Sequence, residues 1–165
     1  MRKNKEQKEI AKKMLILISK GDITEIKNLI DTGIDVDIRD EYKRTPLMNA
    51  VLENKIEIVK LLITLGSDVN LRDIHGVSAL HFSAQNYYLE IANILLKVNG
   101  IVVDIIDNNG NTPLSNAVFY SKGREEMIKL FLEFGADKNI QNNYGISPVG
   151  LANTIANYNV KQFFK

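Results

Sequence analysis

The chain has no cysteine and only two histidines among its 165 residues. The first absence excludes a disulfide framework, a thiolate metal site and a cysteine nucleophile together, and it fits a reducing compartment. Long hydrophobic runs are also missing: nothing approaches the roughly 20 apolar residues that span a bilayer. In the first twenty residues the apolar stretch Met14 to Ile18 is only five residues long, two lysines stand directly before it, and Ser19-Lys20-Gly21 is no small-x-small cleavage site. Neither G-x-x-x-x-G-K nor G-x-G-x-x-G occurs, so no nucleotide cradle and no cofactor are expected. An excess of one charge is lacking too. The 21 basic and 20 acidic side chains leave +1, and no global field draws the protein onto nucleic acid. With 45% apolar residues, the length suits one cytoplasmic domain.

What the sequence does have is a repeat. Thr45-Pro46-Leu47-Met48-Asn49-Ala50 returns as Ser78-Ala79-Leu80-His81-Phe82-Ser83, then as Thr112-Pro113-Leu114-Ser115-Asn116-Ala117 and Ser147-Pro148-Val149-Gly150-Leu151-Ala152, at spacings of 33, 34 and 35 residues. A second marker keeps the same phase: Gly33-Ile34-Asp35-Val36-Asp37, Gly66-Ser67-Asp68-Val69-Asn70, Gly100-Ile101-Val102-Val103-Asp104 and Gly135-Ala136-Asp137-Lys138-Asn139. Thr or Ser followed by Pro starts a helix, because the hydroxyl caps an orphan N–H and proline at the first helical position forfeits no hydrogen bond. A turn at Gly21, Asn54 or Gly123 follows. A second helix then carries apolar residues at helical spacing, such as Ile58, Val59, Leu61 and Leu62. It ends at the marker glycine, and the chain runs extended to a tight turn at Asp40, Asp73, Asp107 or Asn142.

Helix, turn, helix and tight turn at this period resemble the ankyrin repeat, whose T-P-L-H-x-A and G-A-D-V-N signatures these residues follow. The resemblance covers essentially the whole chain. It implies an all-α solenoid of helix-turn-helix units with short β-hairpin-like turn tips, in five repeats: a basic capping unit over 1–38, units over 39–71, 72–105 and 106–140, and a truncated cap over 141–165. Three departures stand out. Lys43 replaces the glycine of the other tips (Gly76, Gly110 and Gly145), at a cost on the order of 1 kcal/mol if its backbone is left-handed. Ala79 replaces the helix-starting proline. The units starting near Arg72 and Ile106 carry one and two extra residues, expected between their helices around Tyr87-Tyr88 and around Phe119 to Gly123.

Such a unit cannot bury its apolar face alone, so the units stack into a slab with a concave face of tips and first helices. In ankyrin proteins, the resemblance implies, these positions bind protein. Carried over residue by residue, the candidates are Tyr42, Arg44, His75, Asn109 and Tyr144 at the tips, and Leu52, Glu53, Phe119 and Tyr120 at the ends of first helices. Tyrosine and arginine make the best hot spots. Equally open is that the tip tyrosines cover neighbouring loops within the slab. Tyr87-Tyr88 and Phe119-Tyr120 are expected at one edge as an aromatic ridge, with packing inside the molecule the favoured role.

Chemical sites fare poorly. The resemblance assigns His81 a bond to the neighbouring repeat's backbone, and His75 lies six residues away, outside the spacing that puts two ligands on one helix face. Asp35, Asp37, Asp40 and Glu41 lack a calcium loop's glycine and distant glutamate. No serine, histidine and aspartate order is supported, and no enzyme is expected. Residues 1–20 hold +5, leaving −4 elsewhere. A nucleic-acid-associated role for this basic start is the alternative, but Glu6 and Glu9 interrupt it and a solvated cap is favoured. The resulting expectation is a monomeric module holding a protein partner on its concave face, with no membrane contact and without nucleic acid. By family analogy alone, such a module can act as the inhibitor or immunity partner of a toxin or enzyme.

Overall fold

The computed structural model describes residues 2–164, with side chains over 5–164. Arg2 and Lys3, counted in the basic start, therefore have side chains outside the described residues. The helices come in pairs: α1 (Arg2–Lys20) with α2 (Ile23–Asp31), α3 (Pro46–Leu52) with α4 (Ile56–Thr64), α5 (Ala79–Gln85) with α6 (Leu89–Leu96), and α7 (Pro113–Phe119) with α8 (Glu126–Glu133). Last come α9 (Pro148–Thr154) and a single 3-10 turn at Val160–Phe164, which holds the end of the slab through buried Val160 and Phe164. First helices stack on first helices from α1 to α9, and second helices on second helices from α2 to α8. The result is the all-α solenoid that the repeat predicts.

Seven-residue helices are far too short to persist alone in water. Stacking supplies what they lack. In α3 every residue from Pro46 to Val51 is buried, and in α4, α6 and α8 the same three positions turn inward: Ile58, Val59 and Leu62, then Ile91, Ala92 and Leu95, then Met127, Ile128 and Phe131. The helix starts are capped as their residues require. Thr45 Oγ1 accepts from Met48 N at 3.2 Å, Thr112 Oγ1 from Ser115 N at 3.3 Å, and Ser147 Oγ from Gly150 N at 3.1 Å. Ala79, without a proline's help, sits behind a reciprocal box in which Ser78 and His81 cap one another's backbone N–H.

Each tip is closed by one side chain. Asp40 Oδ1 accepts from Tyr42 N and Arg44 N at 2.9 and 2.8 Å, and Asp73, Asp107 and Asn142 repeat the pattern. The tips are also joined in a row, since Ile74 N donates to Tyr42 O, Asn108 N to His75 O, and Asn143 N to Asn109 O. Glycine is required where that row is tightest: a Cβ on Gly76 would stand 2.5 Å from Asn108 Oδ1. Lys43 takes the left-handed conformation at φ 58° without that choice.

One expectation is corrected here. Tyr87 and Tyr88 are not an insertion: they occupy the places that Asn54 and Lys55 hold between α3 and α4, and Tyr87 adopts the same left-handed turn, at φ 59° against 53°. The extra residue of that unit falls after α6, between Lys97 and Gly100. The two extra residues of the next unit do lie between its helices, in the segment from Tyr120 to Glu125.

The extended segments are cross-linked by rungs. Asn70 is matched to its surroundings: Oδ1 accepts from Val102 N at 2.8 Å while Nδ2 donates to Gly100 O at 2.9 Å. Asp37, one repeat earlier, accepts from Asp68 N at 3.0 Å, but its Oδ1 is buried with no donor. Burial pushes its carboxyl up, and Asp35 and Asp68 push the same way against the Asp68 N–H bond. Asp37→Asn is therefore expected to raise the unfolding free energy by about 1 kcal/mol, the net worth of one added hydrogen bond. A carboxyl raised in the folded state destabilises above its folded pKa and ceases to as it protonates. Urea titrations should accordingly find the variant's advantage at neutral pH and see it close toward the unfolded value near 3.8. A destabilised variant at neutral pH would refute this account.

Candidate functional site

The first helix is the irregular element. α1 has 19 residues where α3, α5, α7 and α9 have seven. Its last part packs like the others through buried Met14, Leu17 and Ile18, and Ala11 continues that stripe one turn earlier. The preceding turns run on alongside the tip at 39–44. Between the two lies a groove of about 600 Å³. Lys8, Lys12 and Leu15 line one wall; Tyr42, Leu52 and Glu53 line the other.

Its apolar lining comes from Leu15, Tyr42 and Leu52, with Lys8 and Lys12 on the α1 side and Glu41 and Glu53, beside Arg39 and Arg44, on the other. Leu15 and Tyr42 are well exposed for their size, at 38% and 46%. Among the described residues no ion pair joins the lysines of α1 to Glu41 or Glu53, so both rims face solvent. Arg44 is held within the molecule. Its guanidinium lies 4.9 Å from the Tyr42 ring and 5.5 Å from that of Phe82, with Nε 3.7 Å from Asp73 Oδ2. Of the expected residues, then, Tyr42, Arg44, Leu52 and Glu53 are brought together around one groove.

The others are spread along the slab. His75 and Asn109 are exposed at their tips, and Tyr144, at 74% exposure, stands free at the last one. Phe119 and Tyr120 close α7 as an edge-to-face pair with centroids 4.9 Å apart, and Phe119 remains 63% exposed. Tyr88 is half-buried at the start of α6. Tyr87 is engaged inside the molecule: its hydroxyl donates to Glu126 Oε2 at 3.1 Å and accepts from Met127 N at 3.3 Å, while Arg124 covers its ring at 3.6 Å. Burial raises its pKa. The Glu126 carboxyl is held low, first by its own backbone N–H at the helix start and then by the Tyr87 hydroxyl. Tyr87 thus caps the second helix of the next unit and pins the two-residue insertion. Among the described residues the ring pair at these positions is Phe119 with Tyr120, and neither Tyr87 nor Tyr88 stacks on it.

The wall supplied by α1 is not among the residues to which the repeat points. A signal for it exists: no Thr-Pro start precedes Met14, so nothing stops the helix from running back through Ala11, Lys8 and beyond. Among the described residues no helix is long and apolar enough to cross a membrane, and no three His, Asp or Glu side chains gather as a metal site would need.

Comparison with known proteins agrees with this geometry. The family model for ankyrin repeats in three copies matches residues 3–73 and 65–142. A putative ankyrin repeat protein of fowlpox virus is 31% identical over 154 residues, covering 89% of this chain and 45% of the relative. The putative ankyrin repeat protein YahD of Escherichia coli is 26% identical over 77% of this chain and 65% of its own length. The 26S proteasome non-ATPase regulatory subunit 10 of Dictyostelium discoideum is 30% identical over 75% of the chain and 39% of that subunit. The chain thus spans less than two thirds of these relatives. With the repeat markers, the stacked helix pairs and the family match all in one register, the chain belongs to the ankyrin-repeat family, whose repeats are protein-protein interaction modules.

Proposed function

We propose that this chain is a non-catalytic, monomeric, cytoplasmic binding module that holds one folded protein partner, with the groove between α1 and the 39–44 tip as its principal contact. The observation that carries this is the combination in one recess of an apolar lining (Leu15, Tyr42, Leu52) with Lys8, Lys12, Glu41 and Glu53, which form no ion pair among the described residues. Fully desolvated aromatic anchors ringed by polar groups are where binding energy concentrates. Tyr120 and Tyr144 extend the contact along the slab, and an interface above about 1,000 Å² is expected. Where the partner is an enzyme or toxin, occupying its surface with a rigid slab inhibits it. That is the finer role we propose, and the regulatory subunit among the relatives is consistent with it.

The test starts from a partner recovered by affinity capture and identified by mass spectrometry. Tyr42→Ala, Tyr120→Ala and Tyr144→Ala together, in a chain whose circular dichroism is unchanged, are expected to weaken its binding at least about tenfold. Unaltered affinity removes this surface from consideration. Leu52→Arg alone separates the groove from the tips, because it fills the recess with charge and leaves Tyr144 untouched.

A further inference from the structure

The sequence contains two Asn-Gly pairs, Asn99-Gly100 and Asn109-Gly110, and the fold treats them differently. Gly110 N donates to Asp107 O at 3.0 Å, the glycine is buried, and a Cβ there would meet Asn143 at 2.8 Å. Its amide is tied and its surroundings are full. Gly100 is the opposite. Where Gly33, Gly66 and Gly135 each donate to a carbonyl three residues back at 2.9 to 3.0 Å, the extra residue after α6 shifts that bond onto Ile101, whose N–H reaches Val98 O, and among the described residues no acceptor lies opposite Gly100 N. Asn99 and Gly100 are both exposed, and nothing stands within 4 Å of a Cβ built on Gly100. The one-residue slip therefore leaves a free backbone amide next to an asparagine with no side chain in the way.

We infer that Asn99 is a site of spontaneous, structure-selected deamidation. Loss of a proton to hydroxide lets Gly100 N attack Asn99 Cγ. The new N–C bond forms as the bond from Cγ to Nδ2 breaks, Nδ2 takes a proton from water and leaves as ammonia, and a five-membered imide remains. Water then opens the ring. Attack at the carbonyl of the former side chain gives aspartate, and attack at the backbone carbonyl gives isoaspartate, which adds a methylene to the backbone. Either product puts a negative charge where none stood. The isoaspartyl form also lengthens the chain beside the carbonyl of Gly100, which accepts from Asn70 Nδ2 and ties this unit to the one before it. The modified protein is accordingly a substrate for the class of methyltransferase that recognises isoaspartyl carboxylates.

The full-length protein is incubated in mildly alkaline buffer, native and in denaturing urea, and both sites are followed by peptide mapping. In urea the two asparagines should react at similar rates, since they share a following glycine. In the native protein Asn99 should react faster than Asn109 by about tenfold or more, the factor that breaking one backbone hydrogen bond before reaction imposes. Methyl transfer by an isoaspartyl methyltransferase should label the aged native protein and fall about tenfold or more in Asn99→Gln, to the level that Asn109 supplies. Equal native rates at the two sites, or protection of Asn99 to the level of Asn109, overturns the inference.

Discussion

Phe131→Ala is expected to lower the unfolding free energy by about 4 kcal/mol, within the range for truncating a buried aromatic residue. The side chain is fully buried and is the largest such residue among those described. Its position sharpens the prediction. α8 packs on α6 and α7, but among the described residues the unit after it has a 3-10 turn in place of a full second helix to collapse into the space left behind. A solenoid's stability is close to a sum of unit and neighbour terms, so the loss falls on the C-terminal boundary and not evenly over the slab. The variant should unfold in urea in two steps. α7 to the terminal turn leave first, and the pairs from α1 to α6 persist toward the original midpoint. Circular dichroism reads the two steps, and hydrogen exchange locates them. Phe131→Leu, which keeps most of the volume, should stay cooperative. A single transition at the wild-type midpoint for the alanine variant would refute the assignment of this residue as the anchor of that boundary.

What was legible in the sequence was what is decided locally. The caps at Thr45, Thr112 and Ser147, the double acceptor at Asp40 and its counterparts, and the left-handed residues ending each second helix are each set within four residues of one another. The phase of the repeat followed from them. The misplaced insertion has a different origin. The distance from Ser78 to Gly100 is one longer than from Thr45 to Gly66 wherever the extra residue sits, and only the end of α6 at Leu96 decides that it follows the second helix. Tyr87 looked like an inserted aromatic for the same reason, and its partners Glu126 and Met127 are 39 and 40 residues away. The groove is non-local too. Tyr42, Leu52 and Glu53 were singled out individually, but their opposite wall is a helix belonging to another unit, and nothing in either segment announces the other.

His81→Ala is expected to cost about 3 kcal/mol, because it removes a side chain satisfying buried groups on two repeats and leaves them without partners. Ser78 N can only donate, and it reaches His81 Nδ1 at 3.2 Å, so that nitrogen is the acceptor. The proton consequently sits on Nε2, which donates to Asn111 O at 3.0 Å across the boundary between units. This tautomer is the one that fits both contacts. Protonating Nδ1 would set it against the N–H it now serves. Burial of the ring lowers the pKa in the folded protein, more than the Asn111 carbonyl and the carboxylates of Asp107 and Asp73 raise it. The unfolded protein takes up its proton near 6.5. Between that value and the lower folded one, the unfolded state holds more protons, so the contribution of His81 is complete above about 6.5 and drains away as the pH falls. The gap between wild type and His81→Ala in urea midpoint should therefore be widest at neutral pH and narrow on acidification. A gap that stays constant with pH means that the ring acts by volume alone and that the hydrogen-bonded neutral imidazole is not what joins these two repeats.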